Sequence, residues 1–328
     1  MSTFFEQSAR ELLGNNKLLN LDKLINWEGL RPLVERHRGA GGQIPYDEVC
    51  MLKALILQSW HNLSDPELEQ ALTTRLDFIL FCGFHSKDLG VPDETTFCRY
   101  RNLLSSKGVL KRVLKSINAE LEAKGIKLKE SRGALIDATI IESAARPNKS
   151  IENADNSIKI SHSKDPDATY TIKRNMPRLG YKCFARCDEE GFIESTNTLP
   201  ANKAEINNLE SLLEDMLEGQ RCCADKGFDS KNNRALLKKY NLKDGIQRKD
   251  KPNKIYKRNT HRNKLISKTR FKIEQVFGTI KRKFKFTRAT YFTTQKVQTQ
   301  FTLKAVCNNL LKAINKFEVS SPPNLVAG

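Results

Sequence analysis

The chain has 328 residues, long enough for two domains or one large one with an ample core. A formal net charge of +18 points to a polyanionic partner, either nucleic acid or an acidic membrane. No apolar run reaches the roughly 18 residues that span a bilayer, and an N-terminus carrying Glu6 and Glu11 is unlike a secretory signal. The expectation is a cytoplasmic protein whose partner is nucleic acid.

Residues 1 to about 125 read as all helix. Val49, Leu52, Ile56 and Trp60 form an apolar stripe on a helix opening near Pro45. Ser64-Asp65-Pro66-Glu67 is a capping box with Pro in the first turn, starting a helix that runs through Leu76 to Phe81 and stops at Gly83. A third helix opens at Pro92-Asp93-Glu94, with Phe97, Tyr100, Leu103 and Leu104 inward, and a fourth runs from Val109 to Ala123. Thr95, Thr96, Arg99 and Arg101 on the third helix fit a helix-turn-helix that places them in a DNA groove. The same spacing also fits a plain helical bundle.

At Gly133 the periodicity changes. Ala134 to Ile141 is a short, β-branched run and predicts a buried strand. Ser143 to Leu179 is polar and irregular, and predicts a long loop. Tyr181 to Cys187 and Phe192 to Leu199 predict strands joined by a turn at Asp188-Glu189-Glu190-Gly191. Ala204 to Leu217 predicts a helix, Arg221 to Ala224 a brief strand ending at Asp225, and Asp229 or Ser230 the cap of a helix through Tyr240. A short strand follows near Gly245-Ile246, then a helix over Lys264 to Phe284. The fold class is thus an N-terminal all-helical domain (1–128) followed by a mixed α+β/α/β domain (129–318) and a flexible tail (319–328). The eight cysteines sit in apolar periodic segments and form no disulfide framework.

Charge is concentrated in one stretch. Between Arg248 and Arg288 sixteen Lys or Arg face two acids, Asp250 and Glu274, leaving +14 of the chain's +18. On the predicted helix Arg270, Glu274 and Lys281 fall on one face. An aspartate in mid-strand, such as Asp137, is costly unless a cation or donors compensate it. Asp225 stands where a strand meets the loop before a helix, the usual ligand-binding place in α/β sheets. Taken singly, these acids read as a strand-end turn former, a helix cap and an ion-pair partner. Together they present three hard carboxylates suited to Mg²⁺, with two ions clamping a phosphodiester in in-line displacement and Mn²⁺ able to substitute. The surrounding cations, including Arg270, Lys272, Lys281, Arg282 and Lys283, would hold DNA.

These residues resemble a known family. Asp137 in Leu135-Ile136-Asp137-Ala138-Thr139, Asp225 in Ala224-Asp225-Lys226-Gly227-Phe228-Asp229-Ser230, and Glu274 resemble the acidic triad of bacterial insertion-sequence DDE transposases. Arg270, Glu274 and Lys281 are similar to the Arg-Glu-Lys signature of the insertion-sequence-four and -five groups. Leu63-Ser64-Asp65, Phe81-Cys82-Gly83-Phe84, Val91-Pro92-Asp93-Glu94-Thr95-Thr96 with Arg101, and Gly180-Tyr181-Lys182 point to the fifth. Ser267 stands where that signature often has Tyr.

The resemblance covers about residues 20–317. It implies an RNase H-like catalytic domain, with Asp137, Asp225 and Glu274 as catalytic metal ligands and Arg270 and Lys281 on transposon-end phosphates. It further implies binding to terminal inverted repeats, cleavage at the element's ends and joining of the 3′-hydroxyl to target DNA. A homodimer or larger assembly and a place near the bacterial nucleoid follow from that activity. A hydrolytic nuclease and a non-catalytic DNA-binding regulator are the alternatives.

Overall fold

The computed structural model describes residues 4–35, 45–84, 90–129, 131–147, 149–152, 158–161, 163–173, 175–250 and 256–320. It divides into two compact units: Met1–Lys129 with Leu303–Gly328, and Glu130–Thr302.

The first unit is helical: α1 (Phe4–Leu13), α2 (Lys17–Leu24), α3 (Arg31–Val34), α4 (Glu48–His61), α5 (Asp65–Thr74), α6 (Leu76–Cys82), α7 (Glu94–Ser106) and α8 (Val109–Ala123). Local sequence sets the ends. Asp47 accepts the N–H groups of Val49 and Cys50 at 3.0 Å, Ser64 and Glu67 complete their capping box, and Asp93 accepts the N–H of Thr96 at 2.7 Å. The single stripe expected on α4 is an underestimate. Met51, Ala54, Leu55 and Leu57 are buried as well, because α3, α5, α6 and α7 all pack on this helix. The run expected as one helix from Asp65 to Phe81 is two, since Arg75 is extended (φ −95°, ψ 114°) between α5 and α6. Gly83 (φ 80°) ends α6 in the left-handed region that favours glycine.

The last helix, α12 (Thr294–Ser320), contributes its residues from Leu303 onward to this unit. Lys304 Nζ donates to Ser59 O at 2.7 Å, Asn309 Nδ2 to Asn118 Oδ1 at 2.8 Å, and Lys316 Nζ to Ile126 O at 2.9 Å. The domain expected over 129–318 takes in residues from Leu303 onward that belong to the helical unit, since periodicity reports that a face is buried, not which neighbour buries it. The tail expected from residue 319 starts inside α12, and residues 321–328 lie outside the described residues.

The second unit is a mixed sheet with helices. Its strands are β1 (Gly133–Glu142), β2 (Lys149–Glu152), β3 (Ile158–Ser161), β4 (Thr169–Lys173), β5 (Met176–Cys187), β6 (Ile193–Pro200), β7 (Arg221–Ala224) and β8 (Lys243–Ile246). The main sheet runs β4-β5-β1-β7-β8, with β6 also paired to β5. β1 is antiparallel to β5 and parallel to β7, which is parallel to β8. Gly180 lets β5 approach β1, for a Cβ there would lie 2.1 Å from Ile141 O. α9 (Glu210–Leu213) and α10 (Lys231–Lys239) cover a core of Ile136, Phe184, Leu212, Cys222, Leu237 and Ile246. α11 (Lys257–Arg282) packs on β1 and β7, burying Ile266, Ile273, Val276 and Ile280.

Two expectations need correction here. The polar segment 143–179 is not one long loop. It contributes β4 to the sheet and holds the β2–β3 hairpin, and Asp165, 3% exposed, accepts hydrogen bonds from Ser143 Oγ and Tyr181 Oη at 2.6 Å each. A buried polar anchor of this kind leaves no hydrophobic period to read. The helix expected over Ala204 to Leu217 is only a 3₁₀ turn (Glu205–Asn207) and the short α9. Asn208 between them accepts from Asn197 Nδ2 at 3.0 Å, and Asp215 has φ 65°. Such side-chain competition for the backbone is why Asn interrupts helices.

Candidate active site

Asp137 lies in the middle of the central strand β1, and Asp225 follows the last residue of its parallel neighbour β7. Asp225 caps a 3₁₀ turn, Lys226–Phe228, by accepting the N–H of Gly227 at 2.7 Å. Asp137 Oδ1 accepts the N–H of Ala138 at 2.9 Å, while Oδ2 is 3.0 Å from Arg270 Nη2. Burial pushes the Asp137 carboxyl up to about 6. Arg270 and the Ala138 N–H oppose that shift, and the charges of Asp225 and Glu205 add to it. The structure therefore brings Asp137 and Asp225 within each other's field.

Glu205 is an acid that the sequence reading missed. It sits in the 3₁₀ turn after β6, where the sequence predicts a helix over Ala204 to Leu217. The Asn207-Asn208 pair was the signal that the helix breaks there.

The helix α11 runs beside β1. Arg270 reaches Asp137, and three strand residues on, Ile140 O accepts from Lys281 Nζ at 3.3 Å. Glu274 lies one turn beyond Arg270 on the same face of α11, exposed. Among the described residues no three His, Cys, Asp or Glu side chains are gathered as a metal cage. The donor chemistry nevertheless fits a divalent cation. The hard carboxylates of Asp137 and Asp225 repel one another, and Arg270, the cation paired with Asp137, has a buried Nε with no hydrogen-bond partner among the described residues.

Several residues expected on DNA are committed elsewhere. Arg270 is buried against Asp137, and Lys281 is half-buried on β1, where burial and then Lys173 lower its pKa. Arg101 is 5% exposed, clamped by Asp65 at 2.7 Å on both carboxylate oxygens and bonded to Gln58 Oε1 at 3.1 Å, so it cannot reach a base. Thr95 is exposed but donates to Asp93 at 2.8 Å; Arg99 is exposed, and Thr96 half-exposed. Arg282 and Lys283 are exposed, and Lys272 half-exposed. A hollow of about 480 Å³ elsewhere on this unit is lined by Arg221, Arg248, Arg258, His261 and Arg262, with Asp244 as its one acid. Basic surface is thus present on this unit, on α11 and around this hollow.

Residues 129–310 match the model described as a transposase DDE domain, and residues 7–103 match a transposase domain (DUF772). The chain belongs to the DDE transposases. It is 43% identical over 225 residues to the transposase for insertion sequence element IS1106 of Neisseria meningitidis serogroup B, covering 67% of this chain and 78% of that protein. A solved structure, the cryo-EM structure of the piggyBac transposase synaptic complex with hairpin DNA, aligns with 94% of this chain and 74% of its own. Its TM-score of 0.42 at 10% identity is too low to assign a fold. The resemblance read from the motifs holds at the level of an insertion-sequence DDE transposase, a family of DNA-cleaving and strand-transferring enzymes that use divalent metals. No helix among the described residues is long and apolar enough to cross a membrane.

Proposed function

We propose that this chain is the transposase of an insertion sequence of the fifth group, binding the element's terminal inverted repeats, cutting DNA there and joining the 3′-hydroxyl to target DNA. The observation that carries the reading is the Asp137–Asp225 pair, one within β1 and the other just past its parallel neighbour β7, inside a matched transposase domain. An RNase H-like fold is supported by the order of the sheet, in which antiparallel β5 and parallel β7 flank a central strand bearing the first acid.

Asp137 and Asp225 would hold Mg²⁺, or Mn²⁺ in its place, with Glu274 completing the set from α11. Two such cations supply, when bound, the Lewis acidity that activates water and offsets charge on the phosphodiester. Arg270 holds the Asp137 carboxylate in place on β1 and offsets its charge while the site is empty of cation. Arg282, Lys283 and Lys272 on α11, with the arginine-lined hollow, would hold phosphates, and exposed Thr95 and Arg99 on α7 leave that helix able to contact a groove. The working form is a homodimer or larger, because two element ends must be synapsed, and the place of action is the cytoplasmic nucleoid. The helical unit would serve DNA binding and assembly, and the sheet unit catalysis.

The test is cleavage of a terminal-repeat duplex in Mg²⁺, with binding measured in Ca²⁺. Asp137→Asn, Asp225→Asn and Glu274→Gln should each abolish cutting while end binding persists. A triple variant that still cuts would refute the assignment. Joining of a pre-cut end to a second duplex separates a transposase from a nuclease; cutting without joining would favour the nuclease.

A further inference from the structure

We propose that Glu205 is a fourth acid of the metal site, contributing its carboxylate beside Asp225 to a hard divalent cation. The inference rests on the reading that Asp137 and Asp225 hold metal, and it adds a residue outside the three-acid pattern.

The geometry centres on Gly227. A Cβ built there would lie 2.5 Å from Glu205 Oε2 and 2.8 Å from Asp225 Oδ1, so one point in space is hemmed by oxygens of both acids. A Cβ at this position would displace the ends of both carboxylates from where they stand. Asp225 Oδ1 is already engaged by the Gly227 N–H at 2.7 Å. On the far side, Glu205 Oε1 is 3.5 Å from Lys182 Nζ, which also donates to Lys203 O at 3.0 Å. Lys182 thus holds one oxygen of Glu205 and leaves Oε2 directed at the Asp225 side. The field of Glu205 also reaches Asp137. Neighbouring carboxylates repel, Lys182 offsets only the Oε1 side of Glu205, and a divalent cation between Oε2 and Asp225 would offset the rest.

The competing account is structural: Glu205 would only pin the 3₁₀ turn to Lys182. Binding of Mn²⁺ to the full chain, followed by electron paramagnetic resonance, separates the two. Glu205→Gln should weaken Mn²⁺ binding about tenfold or more, as loss of a residue supporting a metal site does. Lys182→Met should change it far less while lowering the thermal midpoint as much as Glu205→Gln does. Wild-type Mn²⁺ affinity in Glu205→Gln, with affinity lost in Asp225→Asn, would overturn the inference alone. Wild-type affinity in both would overturn the metal site itself. If Glu205→Gln proves unstable, Gly227→Ala is the second arm: its Cβ forces both carboxylates to shift with every acid retained, and unchanged Mn²⁺ affinity there would equally overturn the proposal.

Discussion

Each unit contains a buried arginine paired with an aspartate, and the two pairs have opposite effects on the acid. Arg101 meets Asp65 through two parallel contacts of 2.7 Å, Gln58 supplies a further donor, and Asp65 occupies the first turn of α5. Burial pushes the Asp65 carboxyl up, but the hydrogen bonds of Arg101 and Gln58 and the Arg101 charge outweigh it, leaving the pKa lowered. Arg270 meets Asp137 through one contact of 3.0 Å, in mid-strand, with two further carboxylates near, and that pKa is raised to about 6. The first pair is satisfied within the fold. The second holds a carboxylate that the fold alone does not stabilise, which is how a ligand-binding acid differs from a structural one.

The most severe test of this contrast is Arg101→Ala. It leaves Asp65 partly buried beside an empty space and should cost about 3–5 kcal/mol in chemical denaturation. A loss under about 1 kcal/mol would show that the pair is an ordinary surface one.

Next in size is the pH response of metal-free Asp137→Asn. The folded pKa of about 6 lies above the unfolded 3.8, so folded Asp137 binds its proton more tightly, and wild-type stability should fall as pH rises from about 4 to 6. The Asn variant lacks this loss. It should exceed wild type by about 3 kcal/mol at pH 7 and match it near pH 4. For Asp65 the sign reverses, and its contribution is lost as pH falls through its lowered folded pKa. Parallel pH profiles for wild type and Asp137→Asn would erase the distinction between the pairs.

Lys281→Met tests whether α11's inward cations serve the fold. Its single bond to Ile140 O should be worth about 1 kcal/mol, and the variant's salt slope of DNA binding should stay that of wild type. A slope reduced by about one unit would mean that Lys281 leaves β1 for a phosphate. Smallest in stability are Arg282→Ala and Lys283→Ala, expected within about 0.5 kcal/mol of wild type. Each should lower the slope of log affinity against log salt by about one unit if it binds a phosphate.

Much of the fold could be read directly where local chemistry decides it. The capping box at Ser64, the end of α6 at Gly83, the strand around Asp137 and the hairpin at Asp188 are all set by residues a few positions apart. Asp225 was legible for the same reason, as a polar residue where a strand meets a turn. Arg101 and Arg270 were misjudged because charge shows in a sequence, while the acid that absorbs it lies 36 residues away in one case and on the strand packed against α11 in the other. Glu205 stayed hidden because a helical period masked a turn. The strand β4 and its anchor Asp165 carried no periodic pattern at all.

The helical unit is discontinuous in the chain, and this bears on how the protein is made. Helices α4 and α8 bond to Lys304 and Asn309, residues that leave the ribosome only after the whole sheet unit has been made. Synthesis proceeds at about 5–20 residues per second, and domains usually fold in the order they emerge. Here helices α4 and α8 must wait, with part of their surface uncovered, until α12 arrives. A product terminated before Leu303 would carry an unfinished helical unit, open to proteases and aggregation.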